Sequence, residues 1–289
     1  MEPISNNLCA MLKPKAFFTV DVEEWYHALV VEKYIPRKIW PAQESRLPAC
    51  IDIILALLSK HNTSATFFCL SSIPKQNHTV LRKISDAGHE IASHGVSHKK
   101  LHLLSDKELW SELSSSKDTL EAITGQEVIG FRAPNFSIED RAIIALKETG
   151  YRYDSSLLSV NWHPHYGTLR GEQVGQDPCV LSNGIWEFPL SKYRVLGLDI
   201  PWCGGAYARH MPFSAFQLGM QQFSKKYAYN FYVHPWEVDP NPLAIKAMNP
   251  LDRIRHFRNI EKMPSRIDKL LNLASFSTIK QYIHEQSNN

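Results

Sequence analysis

The chain alternates short apolar runs of β-strand length with longer runs that have the apolar periodicity of α-helices. Seven short runs are predicted strands, at residues 17–23, 65–70, 90–93, 128–133, 151–155, 186–190 and 230–234. The clearest helical runs cover residues 49–60, 79–87, 105–124, 139–149 and 212–227. Strands that alternate with helices are typical of a mostly parallel sheet covered by helices. The sequence therefore predicts an α/β fold, and the number of strands favours one barrel-like domain over two domains.

Two further segments complete this organisation. Residues 161–183 show no clear period and are rich in His, Gly, Pro and Tyr, and a loop of this length is more often functional than decorative. After Asp239 the chain becomes rich in proline and is then amphipathic over residues 254–283. We therefore predict a barrel over residues 15–240 and a helical extension over residues 241–289 that packs on it.

Composition and charge exclude several classes of protein. With 289 residues, 44% hydrophobic and 21% charged, the chain is an ordinary folded protein, and its net charge of +3 is too small to indicate nucleic-acid binding. The basic cluster Arg253, Arg255 and Arg258 leaves a weak membrane-surface or anionic-ligand role open. No apolar run reaches the roughly 18 residues of a spanning helix. The five cysteines share no C-x-x-C spacing, which predicts free thiols, and a cytoplasmic protein is expected.

Carboxylates and histidines cluster where two predicted strands end. Side chains alternate along a strand, so Asp21 and Glu23 face the same side while Glu24 faces away. Two converging carboxylates are costly unless a cation lies between them. His94 and His98 follow another strand four residues apart, and on one helical turn both imidazoles would reach a single divalent metal. These residues predict a metal site.

Arg132 and His234 follow the ends of two other predicted strands. The carboxyl ends of parallel barrel strands lie on one rim, so all of these motifs are expected to converge there. Taken singly, each motif has a structural alternative: Asp21 and Glu23 as helix or loop caps, Arg132 as a surface cation, and His234 as a core histidine. Their shared position at strand ends favours a site over these alternatives. The sequence does not separate core packing from stacking on a sugar for four tryptophans, Trp25, Trp162, Trp202 and Trp236.

The segments TVDVEEW, ATFF, HEIASHGVSH, GFRAPNFS, YRYDSS and FYVHPWEVDP together resemble the polysaccharide deacetylases of carbohydrate esterase family 4, which share the NodB homology domain. The resemblance runs from about residue 15 to about residue 282, and is strongest to a branch found in exopolysaccharide and exosortase-associated loci. It implies a distorted seven-stranded (β/α) barrel of the NodB type with a C-terminal extension. It also implies removal of N-acetyl groups from amino sugars with one divalent metal, zinc first, with cobalt, nickel, manganese or iron as alternatives.

Carried over residue by residue, the resemblance implies that Asp21 is the catalytic base and that His94 and His98 bind the metal. Many members have two adjacent aspartates, whereas here Val22 follows Asp21. Some branches place the carboxylate ligand two residues after the base, which would be Glu23. Strand alternation favours the same residue over Glu24.

The resemblance also assigns the other side of the site. Arg132 would pair with the base carboxylate, a backbone N–H near Asn135 would donate to the oxyanion, and His234 would be the general acid. Relatives have a carboxylate that orients this histidine, and the sequence leaves three candidates for it, Asp154, Asp199 and Asp239.

The implied function is metal-dependent N-deacetylation of an N-acetylated amino sugar in a bacterial polysaccharide or its lipid-linked precursor. Peripheral contact with a lipid-linked substrate is compatible with this function, and the oligomeric state is not addressed by the sequence. Two alternatives stay open. One is an amidohydrolase or deformylase that acts on a small amide or a formylated sugar with the same fold, and the other is a metal-free glycan-binding relative.

Overall fold

A computed structural model describes residues 16–160 and 166–288. The strands of this part are β1 Ala16–Val22, β2 Thr66–Cys69, β3 Glu90–Ser93, β4 Gly130–Phe131, β5 Tyr153–Asp154, β6 Cys179–Val180, β7 Trp186–Glu187, β8 Lys192–Val195, β9 Leu198–Pro201, β10 Tyr229–Val233 and β11 Phe276–Ser277. Its α-helices are α1 Leu29–Glu32, α2 Leu47–Lys60, α3 His78–Asp86, α4 Asp106–Thr124, α5 Asp140–Glu148, α6 Gly205–His210, α7 Phe213–Phe223, α8 Pro250–Phe257, α9 Met263–Leu271 and α10 Ile279–Ser287.

The main sheet has the strand order β10-β1-β2-β3-β4-β5-β7-β6, and β11 pairs with the start of β1. Every pairing in it is parallel except that of β6 with β7. The predicted α/β fold is confirmed, and each of the seven predicted strands has its counterpart in this sheet. The count of seven is not confirmed, because the sheet has nine strands among the described residues. The two additional strands, β6 and β11, are two residues long, which is too short to show a period in the sequence.

The sheet curls into an incomplete barrel, and no strand pairing joins β7 to β10 in the described part of the chain. A side chain crosses this gap instead. Asn230 on β10 donates from Nδ2 to Ser155 Oγ at 3.0 Å and to the Phe188 carbonyl at 3.1 Å. The barrel is therefore closed there by an amide side chain rather than by a backbone ladder.

Strand β1 shows how the sequence positions the site. All seven of its residues are buried, because helices cover its outer face and the barrel interior covers the other. Phe18, Val20 and Val22 pack in the large outer cluster with α2, whereas Phe17 packs in the interior cluster. Alternation then places Asp21 on the same inward face as Phe17, at the carboxyl end of the strand.

The five predicted helices are all present, with ends that differ by at most a few residues. Helix α4 begins at a capping box in which Ser105 accepts from the Glu108 N–H and Glu108 accepts from the Ser105 N–H. It ends at Gly125, whose φ of 70° is the left-handed conformation that glycine adopts without strain. Such local signals are why these helices were predictable.

Residues 241–288 are mostly helical, with α8, α9 and α10, but they also contribute β11 to the main sheet. The predicted domain boundary at residue 240 stays a prediction. Within the described ranges, no helix combines the length and apolarity that crossing a bilayer requires. The hairpin formed by β8 and β9 was not predicted. The four cysteines that the structure describes have free thiols, as predicted: Cys50, Cys69, Cys179 and Cys203.

Candidate active site

A cavity of about 250 Å³ opens at the carboxyl ends of the barrel strands. Six of the seven predicted catalytic and metal-binding residues line it, namely Asp21, Glu23, His94, His98, Asn135 and His234. Arg132 lies beside it, fully buried and bonded to Asp21. The predicted convergence of separate strand ends on one rim is therefore found, while the chemical role of each residue stays a prediction.

Glu23, His94 and His98 offer three ligand atoms that all lie within 4.8 Å of one another. His98 Nε2 is 2.6 Å from Glu23 Oε2, and His94 Nε2 is 3.9 Å from the same oxygen. His94 also contacts the Arg132 carbonyl through Nδ1 at 2.8 Å. Since a carbonyl only accepts, His94 donates from Nδ1, and its Nε2 carries the lone pair that a metal needs. Two imidazoles and one carboxylate are a donor set that suits a catalytic zinc ion, so the residues present fit the implied metal.

The two histidines do not lie on a helical turn, and that part of the prediction is wrong. They belong to a loop after β3 in which Gly95 has a φ of 81° and His98 a φ of 53°. The Glu112 carboxylate holds this loop by accepting from the N–H groups of Val96 at 2.7 Å and Ser97 at 2.6 Å. A Cβ on Gly95 would lie 2.9 Å from the same carboxylate. A tight loop that requires glycine at position 95 therefore brings the two imidazoles together, and a helical turn does not.

The structure brings Glu23, rather than Glu24, to the histidines. Glu24 turns away from the cavity, where its carboxylate accepts from the Arg46 N–H at 3.1 Å, from Asn77 Nδ2 at 3.4 Å and from the Ser45 hydroxyl. Burial raises the pKa of Glu24 to about 6, against the opposing effect of the Ser45 hydrogen bond. Strand alternation thus separated the two adjacent glutamates correctly.

Arg132 pairs with Asp21, as the resemblance implied. Its Nη1 donates to Asp21 Oδ1 at 2.8 Å and to Thr19 Oγ1 at 2.8 Å. Its Nε and Nη2 donate to the carbonyl and the hydroxyl of Ser155, both at 2.8 Å, and the guanidinium carbon lies 4.0 Å from the centre of the Phe68 ring. The alternative of a surface cation is wrong, because this guanidinium is buried and held on every side.

His234 lies in the same cavity, close to the carboxylates of Glu23 and Asp21. Its Nε2 is 3.7 Å from Glu23 Oε1 and 4.0 Å from Asp21 Oδ2, and its ring stacks on Trp236 with centroids 5.3 Å apart. Burial alone would lower the pKa of His234, but the carboxylates of Glu23, Glu237 and Asp21 outweigh it and raise the pKa to about 9. This histidine is therefore not a neutral core residue.

Glu237 is the carboxylate that orients His234, which corrects the expectation of an aspartate. Its Oε2 lies 3.2 Å from His234 Nδ1 and accepts from the His234 N–H at 3.1 Å. The buried Arg209 donates from Nε to Glu237 Oε1 at 2.9 Å. Burial would raise the pKa of Glu237, but Arg209 and His234 lower it to about 2.

The three expected aspartates are engaged elsewhere. Asp154 accepts from the Ser156 hydroxyl at 2.6 Å, Asp199 from Lys192 Nζ at 3.1 Å, and Asp239 from Arg46. The signal for Glu237 was present in the H-P-W-E segment, because residues three apart on one turn of helix face each other. Arg209 had no such signal, since it lies 28 residues from its partner.

His27 was also missed. Its ring lies 5.1 Å from that of His98, it lines the cavity, and its Nδ1 accepts from the Glu24 N–H at 3.0 Å. Burial, with His98 as the next contributor, lowers the pKa of His27 to about 3. Burial likewise lowers the pKa of His94 to about 4, against the attraction of Asp21. Both rings are therefore neutral at pH 7, as metal ligation by His94 requires.

The aromatic residues fall into two groups. Trp236 lines the cavity together with Phe136, Tyr166 and Tyr232. Trp25 is buried in a separate apolar cluster, and Trp202 stacks on Phe216 at 5.9 Å. Trp162 and the rest of residues 161–165 lie outside the described residues; the remainder of the predicted 161–183 loop contains the short strand β6.

Comparison with known proteins agrees with this geometry. Residues 44–153 match the family model described as polysaccharide deacetylase, and residues 155–284 match a domain of unknown function, DUF3473. A peptidoglycan deacetylase of Helicobacter pylori is 28% identical over 137 residues, which are 47% of this chain and 46% of that protein. This alignment therefore spans just under half the length of that curated relative.

Solved structures show the same fold. A polysaccharide deacetylase homologue from Mycobacterium smegmatis superposes with a TM-score of 0.61 at 17% identity, covering 96% of this chain and 92% of that one. A peptidoglycan N-acetylglucosamine deacetylase in complex with an N-hydroxybenzamide gives 0.53 at 13% identity, covering 93% and 88%. Residues 44–153 thus match the polysaccharide deacetylase domain, the NodB-type domain of carbohydrate esterase family 4, and the chain has the fold of these solved structures. Its resemblance to one branch of that family stays a prediction.

Proposed function

We propose that the protein is a metal-dependent hydrolase that removes the acetyl group from an N-acetylated amino sugar. The observation that carries this proposal is the convergence of three metal donors, Glu23, His94 and His98, with a further carboxylate and a further imidazole in the same cavity. Asp21 and His234 are the two remaining groups, and they are suited to opposite proton transfers.

Glu23, His94 and His98 would hold the metal, and zinc is the first expectation from this donor set. When bound, a divalent ion supplies Lewis acidity, which favours ionisation of water at neutral pH and polarises a carbonyl. The protein positions the donor atoms before a metal binds. The Arg132 carbonyl orients His94, and the Glu112 carboxylate holds the loop that carries both histidines.

Asp21 is the proposed base. Arg132 bonds to its Oδ1, which leaves Oδ2 directed toward the cavity at 4.0 Å from His234 Nε2. Because Oδ2 has no bond to Arg132 and faces the cavity, it is placed to accept a proton from a water molecule that attacks the amide.

His234 is the proposed acid. The amine of an amide cannot leave as an anion, so a positioned group must protonate its nitrogen. Glu237 engages Nδ1 of His234, which leaves Nε2 facing the cavity on the side of Asp21 and Glu23. Base and acid thus reach the reacting centre from two strands, β1 and β10.

Asn135 is the proposed source of an oxyanion donor. It lines the cavity and has a left-handed backbone with a φ of 54°. In other hydrolases, removal of one hydrogen-bond donor to the oxyanion raises the activation free energy by about 3 kcal/mol.

The substrate proposal rests on the cavity's lining and on the relatives. Phe136, Tyr166, Tyr232 and Trp236 provide aromatic surface of the kind that contacts sugar rings. Since relatives are named peptidoglycan deacetylases, we propose an N-acetylated amino sugar of a bacterial polysaccharide or its lipid-linked precursor. A cytoplasmic location, expected from the sequence, likewise stays a proposal.

Mass spectrometry tests the proposal. The zinc-loaded protein is incubated with N-acetylated chito-oligosaccharides, with peptidoglycan fragments and with a small formamide, and loss of an acetyl or formyl group is measured. We expect acetyl loss from a glycan. We also expect Asp21→Asn, which has the same shape but is a much weaker base, to lower the rate about 100- to 10,000-fold while zinc content is unchanged.

The alternatives have their own signatures in this experiment. Hydrolysis of the formamide with no change in any glycan contradicts the acetyl assignment and favours the small-amide hydrolase. If the protein binds no stoichiometric metal but is retained on a column of immobilised glycan, the assignment as a hydrolase is contradicted and a glycan-binding protein is favoured.

A further inference from the structure

The two histidines proposed to bind the metal are held in different ways. His94 is oriented through its ring, because its Nδ1 donates to the Arg132 carbonyl at 2.8 Å. Nδ1 of His98 is buried and has no hydrogen-bond partner among the residues that the structure describes. A ligating imidazole normally has such a partner on its second nitrogen, and this partner fixes the orientation of the ring. The position of His98 therefore depends on its backbone and on the packing around its ring.

The backbone at His98 is held by side chains from two other parts of the chain. Its φ of 53° lies in the left-handed region, which residues with a Cβ seldom adopt. Arg37 donates from Nη1 to the Ser97 carbonyl at 2.6 Å and from Nη2 to the His98 carbonyl at 2.9 Å. Glu112 accepts from the Ser97 N–H at 2.6 Å. Arg37 thus binds the carbonyl groups of this loop, and Glu112 binds its N–H groups.

Arg37 is itself fixed in place. Its Nε donates to Glu32 Oε1 at 2.7 Å, and its guanidinium carbon lies 4.7 Å from the centre of the Trp40 ring. The Trp40 ring contacts the His27 ring with centroids 4.5 Å apart, and the His27 ring lies 5.1 Å from that of His98. The chain between β1 and α2 therefore packs against the ring of His98 and also binds its backbone.

The charge of Arg37 does not explain why it lies here. A guanidinium near a site for a divalent cation repels that cation, so its field alone would weaken metal binding. Its geometry does explain the position. The planar guanidinium presents donors in a fixed fork and reaches two consecutive carbonyls at once, whereas the ammonium of lysine is a single point of charge on a flexible stem.

We propose that Arg37 is a positioning residue that holds His98 for metal binding and so sets the affinity of the site for zinc. The inference rests on the metal dependence in the proposed function. It extends that function to a residue outside the polysaccharide deacetylase match, which begins at residue 44. Removal of a partner that orients a metal ligand typically costs about 10- to 100-fold in metal affinity.

Competition with a chromophoric zinc chelator tests the inference on the full chain. Arg37→Gln removes both the charge and the fork, and Arg37→Lys keeps the charge but loses the fork. We expect both variants to bind zinc about 10- to 100-fold more weakly than the wild type. The charge alone predicts tighter binding by Arg37→Gln, so the direction of the change separates positioning from electrostatics.

Arg266→Lys is the matched control. Arg266 also donates to two consecutive carbonyls, those of Ala208 and Arg209, and its guanidinium carbon lies 5.1 Å from the centre of the Phe213 ring. This control should bind zinc as the wild type does. Melting temperatures of the metal-free proteins complete the comparison. A merely structural role for Arg37 predicts a lower melting temperature with unchanged zinc affinity.

Hydrolysis provides a second measurement. If the variants differ only in zinc affinity, raising free zinc by the factor lost should restore the rate of Arg37→Lys, and a folding defect would not respond in this way. Failure to restore the rate of a variant that has regained its zinc would contradict a role through affinity alone.

The affinity result and the proposed function fail separately. Wild-type zinc affinity in both variants, or tighter binding by Arg37→Gln, overturns the inference and leaves the proposed function as it is. A wild-type protein that binds zinc but hydrolyses no acetylated sugar overturns the proposed function, while weaker zinc binding by the variants would still support the role of Arg37. A wild-type protein that binds no zinc overturns both.

Discussion

His94 and His234 face the same cavity with opposite preferences for a proton. The second nitrogen of His94 contacts the backbone carbonyl of Arg132, and burial lowers its pKa to about 4. The second nitrogen of His234 contacts the carboxylate of Glu237, and its pKa is raised to about 9 despite burial. Glu23, Glu237 and Asp21 together outweigh burial at His234, whereas burial outweighs the attraction of Asp21 and Glu23 at His94. The difference shows that burial alone does not decide which of the two imidazoles is charged, because the carboxylates around each ring oppose it to different extents.

The histidines proposed to bind metal and the histidine proposed as the acid also come from different parts of the chain. His94, His98 and Arg132 lie within residues 44–153, the polysaccharide deacetylase match, whereas His234 and Glu237 lie within residues 155–284, the match to a domain of unknown function. The second range therefore contributes the proposed acid. Variants on each side should separate metal binding from proton transfer.

The largest effect is expected on the metal side. His94→Ala removes one of three ligands, so zinc measured by elemental analysis should fall below stoichiometry and activity should fall at least about a thousandfold, the equivalent of several kcal/mol. Stoichiometric zinc in a folded His94→Ala protein would show that the metal lies elsewhere.

The next effect is expected on the acid side. His234→Ala should lower the deacetylation rate by about 100- to 10,000-fold, the usual contribution of a general acid, while zinc content stays at the wild-type level. Loss of zinc in this variant would mean that His234 is a metal ligand, and its assignment as the acid would be wrong.

A smaller effect is expected at Glu237, which contacts His234 Nδ1. Glu237→Gln keeps the shape but removes the charge that holds and charges His234, so the rate should fall about tenfold to a hundredfold, or about 1.4–2.7 kcal/mol. Zinc content and the melting temperature show whether the site is intact. Asp239→Asn is the matched control, since Asp239 bonds to Arg46 instead. A larger loss of activity in the control than in Glu237→Gln would contradict the assignment of Glu237.

The last effect concerns stability rather than rate, and tests whether a buried imidazole without a carboxylate bonded to it stays neutral. His256 stacks on Trp236, the residue that also stacks on His234. Burial, followed by Arg209, lowers its pKa from 6.5 to about 3. The unfolded chain then binds a proton below pH 6.5 while the folded protein does not, so the free energy of unfolding falls as the pH drops from 6.5 toward 3, and is fully retained above 6.5.

At pH 5 this linkage amounts to about 2 kcal/mol. His256→Phe keeps the stacking and removes the titration, so urea unfolding should show a stability that falls by about 2 kcal/mol less than that of the wild type between pH 7 and pH 5. An identical decline in both proteins would show that His256 is not held neutral.

The sequence by itself determined the α/β class, the positions of seven strands of the main sheet and of five helices, and the strand ends at which the polar residues gather. It also separated Glu23 from Glu24, because side chains on a strand alternate with a period of two. These properties are local. Each depends on residues close together in the chain, where periodicity and caps leave a visible pattern.

Only the tertiary structure decided how the site is completed. The loop that carries His94 and His98 takes its shape from Glu112, and Glu237 takes its charge partly from Arg209, 28 residues away. The incomplete barrel depends on Asn230 reaching Ser155, 75 residues away. Partners this far apart meet only when the whole sheet has folded, so no short stretch of sequence encodes them; the roles of Glu237 and Arg209 follow from the packing of β10 against the rest of the barrel.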